Sequence, residues 1–243
     1  MKFAAFIFSL ILFGIFTTGC DKENTPVFPL AQVTSRSHTV NDLNEIRIAD
    51  PFQVYVQFAQ TGPDLRIEAN ENLHEYIEVR QTGGALAISL KDEARHIEGT
   101  PVLKVFLTAK ALRSIQAQGA AKVYLQSPWQ TDQAEVVLTG ASHLEGTVMT
   151  TAKLTAELTG ASTIDIAGNT QQFDVEATGA SYMTGYNFEC DQLFADLTGA
   201  CGMTLTVNDN MRVTATGAST VRYRGEGEIL YQELSGGSEI IKE

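Results

Sequence analysis

One tetrapeptide, Thr-Gly-Ala-Ser, recurs along the second half of the chain and constrains the fold more than any other feature. Full copies stand at 139–142, 159–162, 178–181 and 216–219, and degenerate copies stand at 118–121, 198–201 and 235–238. Successive central glycines lie 18 to 21 residues apart. A near-constant period of about 20 residues is typical of a solenoid, in which each repeat forms one coil that stacks on the next.

Apolar and polar residues alternate on both sides of these glycines. Two residues before the glycine stand Leu138, Leu158, Ala177, Leu197, Ala215 and Leu234. Six residues before it stand Ala134, Leu154, Phe173, Leu193, Met211 and Leu230. Four residues after it stand Leu144, Ile164, Met183, Met203, Val221 and Ile240. Strict alternation predicts half-buried strands, and no segment of the repeats shows the 3.6-residue period of a helix.

Each repeat therefore contains one strand, a Gly-Ala-Ser corner, a second strand and a connecting loop of variable length. Such repeats predict an all-β fold, a right-handed single-stranded parallel β-helix (β-solenoid), with its regular coils over 113–243. The right hand follows from the general preference of parallel crossovers. Glycine can adopt the positive φ that a tight bend needs, and we expect the serine hydroxyl to bond to the backbone of the bend or to the serine one coil away.

Residues 41–112 also alternate but lack the tetrapeptide. The segment 45–58 predicts two strands around a turn at Asp50-Pro51, and 81–84 predicts a hairpin between two further strands. We interpret this part as a less regular N-terminal β segment that is continuous with the solenoid and caps its first coil. A small separate β-domain is the alternative.

The beginning of the chain carries the pattern of an export signal. Lys2 supplies a positive charge, and an apolar run follows from Phe3 to Phe16. The run is too short to span a membrane comfortably, because a spanning helix needs about 20 apolar residues. This charge, length and small-residue exit are typical of a secretory signal.

The cysteine that follows Gly19 resembles the lipidated cysteine of bacterial lipoproteins. We predict a lipoprotein signal peptide over 1–19, lipidation at Cys20, and a lipidated N-terminus and tether over 20–40. An ordinary cleaved signal with a chance cysteine is the alternative. The lipoprotein interpretation places the protein in the cell envelope as an outer membrane lipoprotein, either periplasmic or surface-exposed.

Charge and cysteine usage limit the remaining chemistry. A formal net charge of −12 argues against nucleic acid as a partner, because phosphate would be repelled. Cys201 stands where other repeats carry serine, and Cys190 falls in a predicted loop, so we expect two unpaired thiols. The four histidines lack metal-ligand spacing, and the repeated serines form a column rather than one nucleophile. The sequence therefore predicts no catalytic, cofactor-binding or metal-binding residues.

Two sets of outward side chains remain candidates for binding. Acidic residues share one column or lie beside it, namely Glu157, Asp174, Glu176, Asp196 and Glu233. Aromatic residues are scattered over the later coils, namely Tyr182, Tyr186, Phe188, Phe194, Tyr223 and Tyr231, and Phe194 shares an outward column with Tyr231. The acids could serve a carbohydrate-active enzyme or hold Ca²⁺, and the rings could stack on sugars. A solvated acidic face and rings that cover the sheet are the simpler interpretations.

The order of the segments resembles a known family, the "putative auto-transporter adhesin, head GIN domain" family of Bacteroidetes lipoproteins. The resemblance covers about 43–243 and rests on IRIADPFQVYVQF, LRIEANENL, VRQTGGALAISLK and VFLTAKALRSIQAQGAAKVYL, followed by the Gly-Ala-Ser coils. It implies a β-helix of unestablished function with no catalytic residues to carry over. We predict a non-enzymatic, lipid-anchored cell-envelope protein, adhesin-like or structural, with a glycan or protein ligand. A carbohydrate-active enzyme is the alternative, and the oligomeric state stays open.

Overall fold

The computed structural model describes residues 26–94 and 96–243 and shows a single sheet of 18 strands wound into coils. The strands are β1 (Val33–His38), β2 (Glu45–Ile48), β3 (Gln53–Phe58), β4 (Asp64–Asn70), β5 (Ile77–Thr82), β6 (Ala85–Leu90), β7 (Leu103–Ala109), β8 (Ser114–Ala117), β9 (Lys122–Leu125), β10 (Trp129–Gly140), β11 (His143–Gly160), β12 (Thr163–Gly179), β13 (Tyr182–Thr184), β14 (Phe188–Gly199), β15 (Gly202–Gly217), β16 (Thr220–Arg224), β17 (Glu228–Leu234) and β18 (Glu239–Lys242). Two short 3-10 helices lie at Glu71–Glu75 and Asp92–Ala94. Over the described ranges, no helix has the length and apolar character needed to cross a membrane.

Strands β10 to β18 form the regular solenoid. They pair in parallel with the register that the repeats predict, so that each corner glycine lies opposite the next. The inward column after the corner, which begins at Leu144 and ends at Ile240, is likewise in register. The predicted β-solenoid is confirmed. The predicted loops between coils are shorter than expected, because β11 and β12 run through them with only a local irregularity in pairing.

The corner geometry explains why glycine is required there. Gly160 has a φ of +91°, and a Cβ added to it would lie 2.6 Å from the carbonyl oxygen of Gly140. That oxygen accepts a hydrogen bond from the backbone N–H of Ala161 at 2.7 Å. Positive φ and this close approach of two coils both exclude a side chain, and the same pattern repeats at Gly140, Gly179, Gly199, Gly217 and Gly236.

The corner serines donate hydrogen bonds to backbone carbonyl oxygens of the bend from inside the coil. Ser162 is fully buried, and its Oγ donates to the carbonyl oxygen of Thr159 at 3.0 Å. Equivalent bonds occur at the serine corners of the neighbouring coils, with distances of 2.9 to 3.2 Å. The expected bond to the backbone of the bend is therefore observed.

Cys190 and Cys201 are both buried and unpaired, as predicted. Cys201 replaces a corner serine, and its Sγ lies 3.5 Å from the carbonyl oxygen of Thr198. The predicted loop position of Cys190 is wrong, because Cys190 lies inside strand β14 and faces the core. Cys190 pairs with the buried Thr170, which accepts a hydrogen bond from the buried Thr150, so a small side chain is accommodated where the coil turns.

The N-terminal part is wound out of sequence order. The coil made by β2 and β3 lies between the coil of β6 and β7 on one side and the coil of β8 and β9 on the other. Strand β8 then pairs with β10, so the sheet and its core continue into the regular coils. Asp50 takes the corner position in this coil with a φ of +66°, and its Oδ2 accepts from the N–H of Leu90 at 2.8 Å.

Antiparallel strands close the N-terminal end. Strand β5 pairs with β6 in the predicted hairpin, and β4 pairs with both β7 and β1. Leu73, in the first 3-10 helix, is fully buried beneath this end. The prediction of a tether over 20–40 needs correction, because Val33–His38 form β1 with six residues paired to β4. Strand β1 pairs with β4 along its whole length, which a free tether would not do.

The C-terminal coil is more exposed to solvent than the N-terminal end. All seven residues of β17 are exposed, and Leu230 keeps 51% of its surface accessible. Leu230 was expected in an inward column with Met211, but Met211 pairs with Ile229 instead. A β-bulge therefore moves Leu230 out of the column, because the extra residue interrupts the inward and outward alternation.

Candidate functional site

Two neighbouring columns of side chains run along one outward face of the regular coils. The first column contains Glu135, Thr155, Asp174, Phe194, Arg212 and Tyr231. The second contains Val137, Glu157, Glu176, Asp196, Thr214 and Glu233. The acidic column and the shared column of Phe194 and Tyr231 are thus placed as the sequence predicts.

These columns meet in a shallow groove near the C-terminal end, which we call the C-terminal groove. It has a volume of about 410 Å³ and is lined chiefly by Asp174, Glu176, Phe194, Asp196, Arg212 and Tyr231. The sequence identified the acids and the rings as separate sets. The structure brings them together, because the strands of adjacent coils lie about 4.8 Å apart and the two columns are two residues apart along each strand.

The charged groups of the C-terminal groove differ in their partners. Asp174 forms an ion pair with Lys153 and accepts a hydrogen bond from Gln172 at 2.7 Å. Within the described part of the chain, Glu176, Asp196 and Arg212 have no hydrogen bond or ion pair from their side chains. Two carboxylates and one guanidinium are therefore available to an external ligand.

The two rings of the C-terminal groove flank Arg212 in the first column. Phe194 is half-buried, whereas Tyr231 keeps 45% of its surface exposed. The Oη of Tyr231 donates to a carboxylate oxygen of Glu233 at 2.7 Å, and this hydrogen bond raises the pKa of the tyrosine. The bond fixes the ring at the rim of the groove and leaves it accessible.

The carboxylates stay in a ladder and do not converge on one point. Across residues 26–94 and 96–243, no three His, Cys, Asp or Glu side chains are grouped so that they could hold a metal ion. Register partners such as Glu157 and Glu176 lie on successive coils, with their side chains pointing outward. The arrangement offers hydrogen-bond acceptors along a line, which suits an extended ligand better than a single ion.

The other aromatic residues singled out in the sequence do not join this groove. Phe188 and Tyr223 face the core and are buried. Tyr186 contacts Arg224, whose guanidinium carbon lies 4.1 Å from the ring centroid. Tyr182, on the other outward face, is 48% exposed and its ring edge occupies the space above Gly202.

Sequence reasoning missed an aromatic ladder on the N-terminal coils. The ring of Tyr55 stacks on Phe106 at 5.1 Å and on Tyr124 at 5.3 Å between centroids, and Arg66 lies over Phe106. The signal was hidden because the three aromatic residues belong to coils that are not consecutive in sequence. Each ring face that meets another ring is unavailable to a ligand, so the ladder stabilises the sheet.

The structure also brings His38 and His74 close together at the N-terminal end, which the sequence did not indicate. Nε2 of His74 lies 3.1 Å from the carbonyl oxygen of Thr34, which ties the first 3-10 helix to β1. Partial burial lowers the pKa of His38, and the nearby His74 and Arg36 lower it further.

Cys20, the predicted lipidation site, lies outside the described residues.

Comparison with known proteins identifies the family. A family model described as "putative auto-transporter adhesin, head GIN domain" matches residues 42–227. The chain belongs to this family. The match includes both the out-of-order N-terminal coils and most of the regular solenoid, so the predicted resemblance is confirmed. No curated protein matches the chain.

Solved structures of three bacterial proteins share the fold of this head GIN domain protein. A putative adhesin from Bacteroides fragilis NCTC 9343 is 18% identical with a TM-score of 0.75, over 89% of this chain and 97% of its own. A putative lipid binding protein from Parabacteroides distasonis ATCC 8503 is 15% identical with a TM-score of 0.73, over 90% and 100%. A putative adhesin from Parabacteroides merdae ATCC 43184 is 20% identical with a TM-score of 0.67, over 89% and 98%. At these identities the likeness shows the fold, and the family supports an adhesin-like protein of the cell surface or envelope.

Proposed function

We propose that this protein is a non-catalytic, lipid-anchored adhesin-like module of the outer membrane. Lipid attached to Cys20 would hold the chain at the membrane, and the solenoid would present its outward faces to a partner. The family match and the adhesin-like neighbours support the binding role. The export pattern of the first 20 residues supports the anchor.

One observation carries the non-catalytic part of the proposal. The carboxylates that could do chemistry lie in a column on an open strand face, and similar acids recur in it on successive coils at Glu157, Glu176 and Asp196. An active site needs a nucleophile, acid or base held by specific partners in one place. The thiol of Cys190 is buried, and burial raises its pKa to about 12, so it cannot serve as a nucleophile near neutral pH.

A carbohydrate-active enzyme is the second candidate. Glycosidases use two carboxyl groups about 5 to 9.5 Å apart, and the acidic column offers spacings in this range. Glu176 and Asp196 are register partners on adjacent coils and have no side-chain partner among the described residues. Against this candidate, the C-terminal groove is shallow and does not remove a substrate from water.

The anchor is tested by metabolic labelling with a palmitate analogue. Wild-type protein should incorporate the label and fractionate with the outer membrane, and Cys20→Ala should lose both properties. Cys201→Ser serves as the matched control, because serine occupies the same corner in other coils. Persistent labelling of Cys20→Ala would remove the lipoprotein claim.

The binding role is tested on cells that display the full-length protein. Such cells should adhere to a surface coated with envelope or host material more strongly than cells that express Cys20→Ala. Release of reducing sugar from the same material, abolished by Glu176→Gln, would instead establish the enzyme. Absence of both adhesion and sugar release would contradict the adhesin-like proposal.

A further inference from the structure

We propose that the C-terminal groove binds a neutral glycan chain that runs along the solenoid axis. The inference rests on the proposed adhesin-like function and names its ligand and its site. The composition of the groove supports this inference. Two aromatic rings lie in one column with a guanidinium between them, and the parallel column contributes two carboxylates, Glu176 and Asp196, that have no side-chain partner among the described residues.

The spacing of the rings fits an elongated ligand. Phe194 and Tyr231 lie two coils apart, which is about 10 Å at the ordinary spacing of strands. An aromatic ring can pack against the apolar C–H face of a pyranose, so two rings at this distance can hold two sugar units of one chain. Arg212 lies on the rung between them and can donate hydrogen bonds to hydroxyl groups of the chain.

The adjacent column supplies acceptors for sugar hydroxyls. The carboxylates of Glu176 and Asp196 line the same groove and have no partner within the described ranges. Ionised carboxylates only accept hydrogen bonds, and each has several acceptor positions. Hydroxyl groups along one edge of a glycan would satisfy them, with charge-assisted bonds that are stronger than bonds between neutral groups.

The charge arrangement disfavours the competing ligand classes. Glu176, Asp196 and Glu233 would repel a sialylated, sulfated or phosphorylated chain. A basic peptide would be repelled by the guanidinium of Arg212, which lies between the two rings. A neutral polyol avoids both repulsions and can use donors and acceptors together.

The test measures binding of the full-length protein in detergent micelles to an array of neutral, sialylated and sulfated oligosaccharides. We expect neutral chains of several sugars to bind and anionic chains to fail. The best neutral chain is then titrated against Phe194→Ala, Tyr231→Ala and the control Tyr182→Ala. Tyr182 is an exposed ring on the other outward face, so its loss matches the change in surface without touching the groove.

The expected result is a weakening of about tenfold for each groove variant and no change for Tyr182→Ala. Binding should also vary little between 50 mM and 500 mM salt, because the ligand is uncharged. Circular dichroism confirms that each variant keeps its strand content. Equal affinity of wild type and both groove variants would overturn the inference, as would preferential binding of anionic glycans or of an oligolysine peptide.

Adhesion of displaying cells separates this inference from the function on which it rests. If the cells adhere and the groove variants adhere equally, the glycan site is wrong and the adhesin-like function stands. If wild-type cells do not adhere, the function fails. Loss of adhesion by Phe194→Ala and Tyr231→Ala, with Tyr182→Ala unaffected, would support both.

Discussion

The N-terminal and C-terminal parts of this solenoid form the same coils by different means. In the regular coils, consecutive repeats stack in order, and each corner is made by a glycine against the carbonyl oxygen of the previous glycine. In the N-terminal part, the chain inserts an early coil between two later ones, and Asp50 makes the corner. Both regions share one apolar core, but the corners of the first depend on close backbone contacts, whereas the second is also closed by antiparallel strands.

The two ends of the solenoid also differ in how far they are covered. The N-terminal end is covered by β1, β4 and β5, with Leu73 fully buried beneath them. The C-terminal coil leaves every residue of β17 exposed. The candidate binding groove lies toward this open end. The covered N-terminal end therefore stabilises the coils, whereas the exposed C-terminal end carries side chains that are available to a partner.

The largest effect is expected at a central corner. Gly160→Ala introduces a Cβ 2.6 Å from the carbonyl oxygen of Gly140 at a φ of +91°. The combined cost of positive φ and overpacking should lower the free energy of unfolding by about 3 to 5 kcal/mol. Urea denaturation followed by circular dichroism measures the change.

The matched control for the corner is Gly62→Ala. An added Cβ at Gly62 meets no atom within 4 Å, so its effect should stay within about 0.5 kcal/mol. If Gly160→Ala proves as mild as Gly62→Ala, the corner stack does not hold the coils in place.

A smaller effect should separate the two ends. Leu73→Ala removes a fully buried side chain from the cap and should cost about 3 kcal/mol. Leu230→Ala removes a side chain that is 51% exposed in the last coil and should cost about 0.5 kcal/mol or less. The same denaturation experiment compares them, and equal losses would show that the two ends are equally closed.

The buried thiols provide a probe of the regular coils. Cys190 and Cys201 should not react with a thiol reagent at pH 8 in the folded protein, because both are buried and burial raises the pKa of Cys190 to about 12. Both should react rapidly in 8 M urea. A Cys20→Ser background removes the remaining cysteine, and fast labelling of the folded variant would indicate that these coils open readily.

The smallest effect concerns pH and belongs to the cap alone. The folded pKa of His38 lies below 6.5, so its contribution to stability is present above pH 6.5 and is lost as pH falls toward the folded value. Hydrogen exchange of β1, corrected for intrinsic rates, should therefore show weaker protection at pH 5.5 than at pH 7.5. His38→Gln should reduce this difference, and His143→Gln on the regular coils should leave it unchanged.

The regular coils could be predicted because identical positions recur in the sequence. Aligning the repeats on glycine gave the inward columns, the corner bonds and the shared column of Phe194 and Tyr231. The bulge at Leu230 could not be found in this way, since the residue count between corners is preserved while the pairing shifts. The alternation is weaker between coils, so the sequence predicts a loop at Cys190, whereas strand pairing continues through this turn.

The N-terminal winding could not be predicted because its pairing partners are distant in sequence. Ile46 pairs with both Leu86 and Ile115, and no repeated motif marks those positions. Strand β1 was assigned to a tether because its residues, Val33–His38, are mostly polar and lie on an edge. Edge strands need few apolar residues, so composition alone does not separate them from linkers. For the groove, the sequence supplied the columns, while the partner-free state of Arg212 depends on side-chain geometry.

The central claim, that successive Gly-Ala-Ser corners stack in register, is tested most directly by pyrene excimer fluorescence. Thr159 and Thr178 are exposed register partners on adjacent coils. Pyrene attached to the double variant Thr159→Cys/Thr178→Cys, in a chain whose three native cysteines are replaced, should give strong excimer emission. Labels at Thr159→Cys/Thr216→Cys, three coils or about 14 Å apart, should give little. Monomer emission from the adjacent pair, or a stronger excimer from the distant pair, would contradict the account.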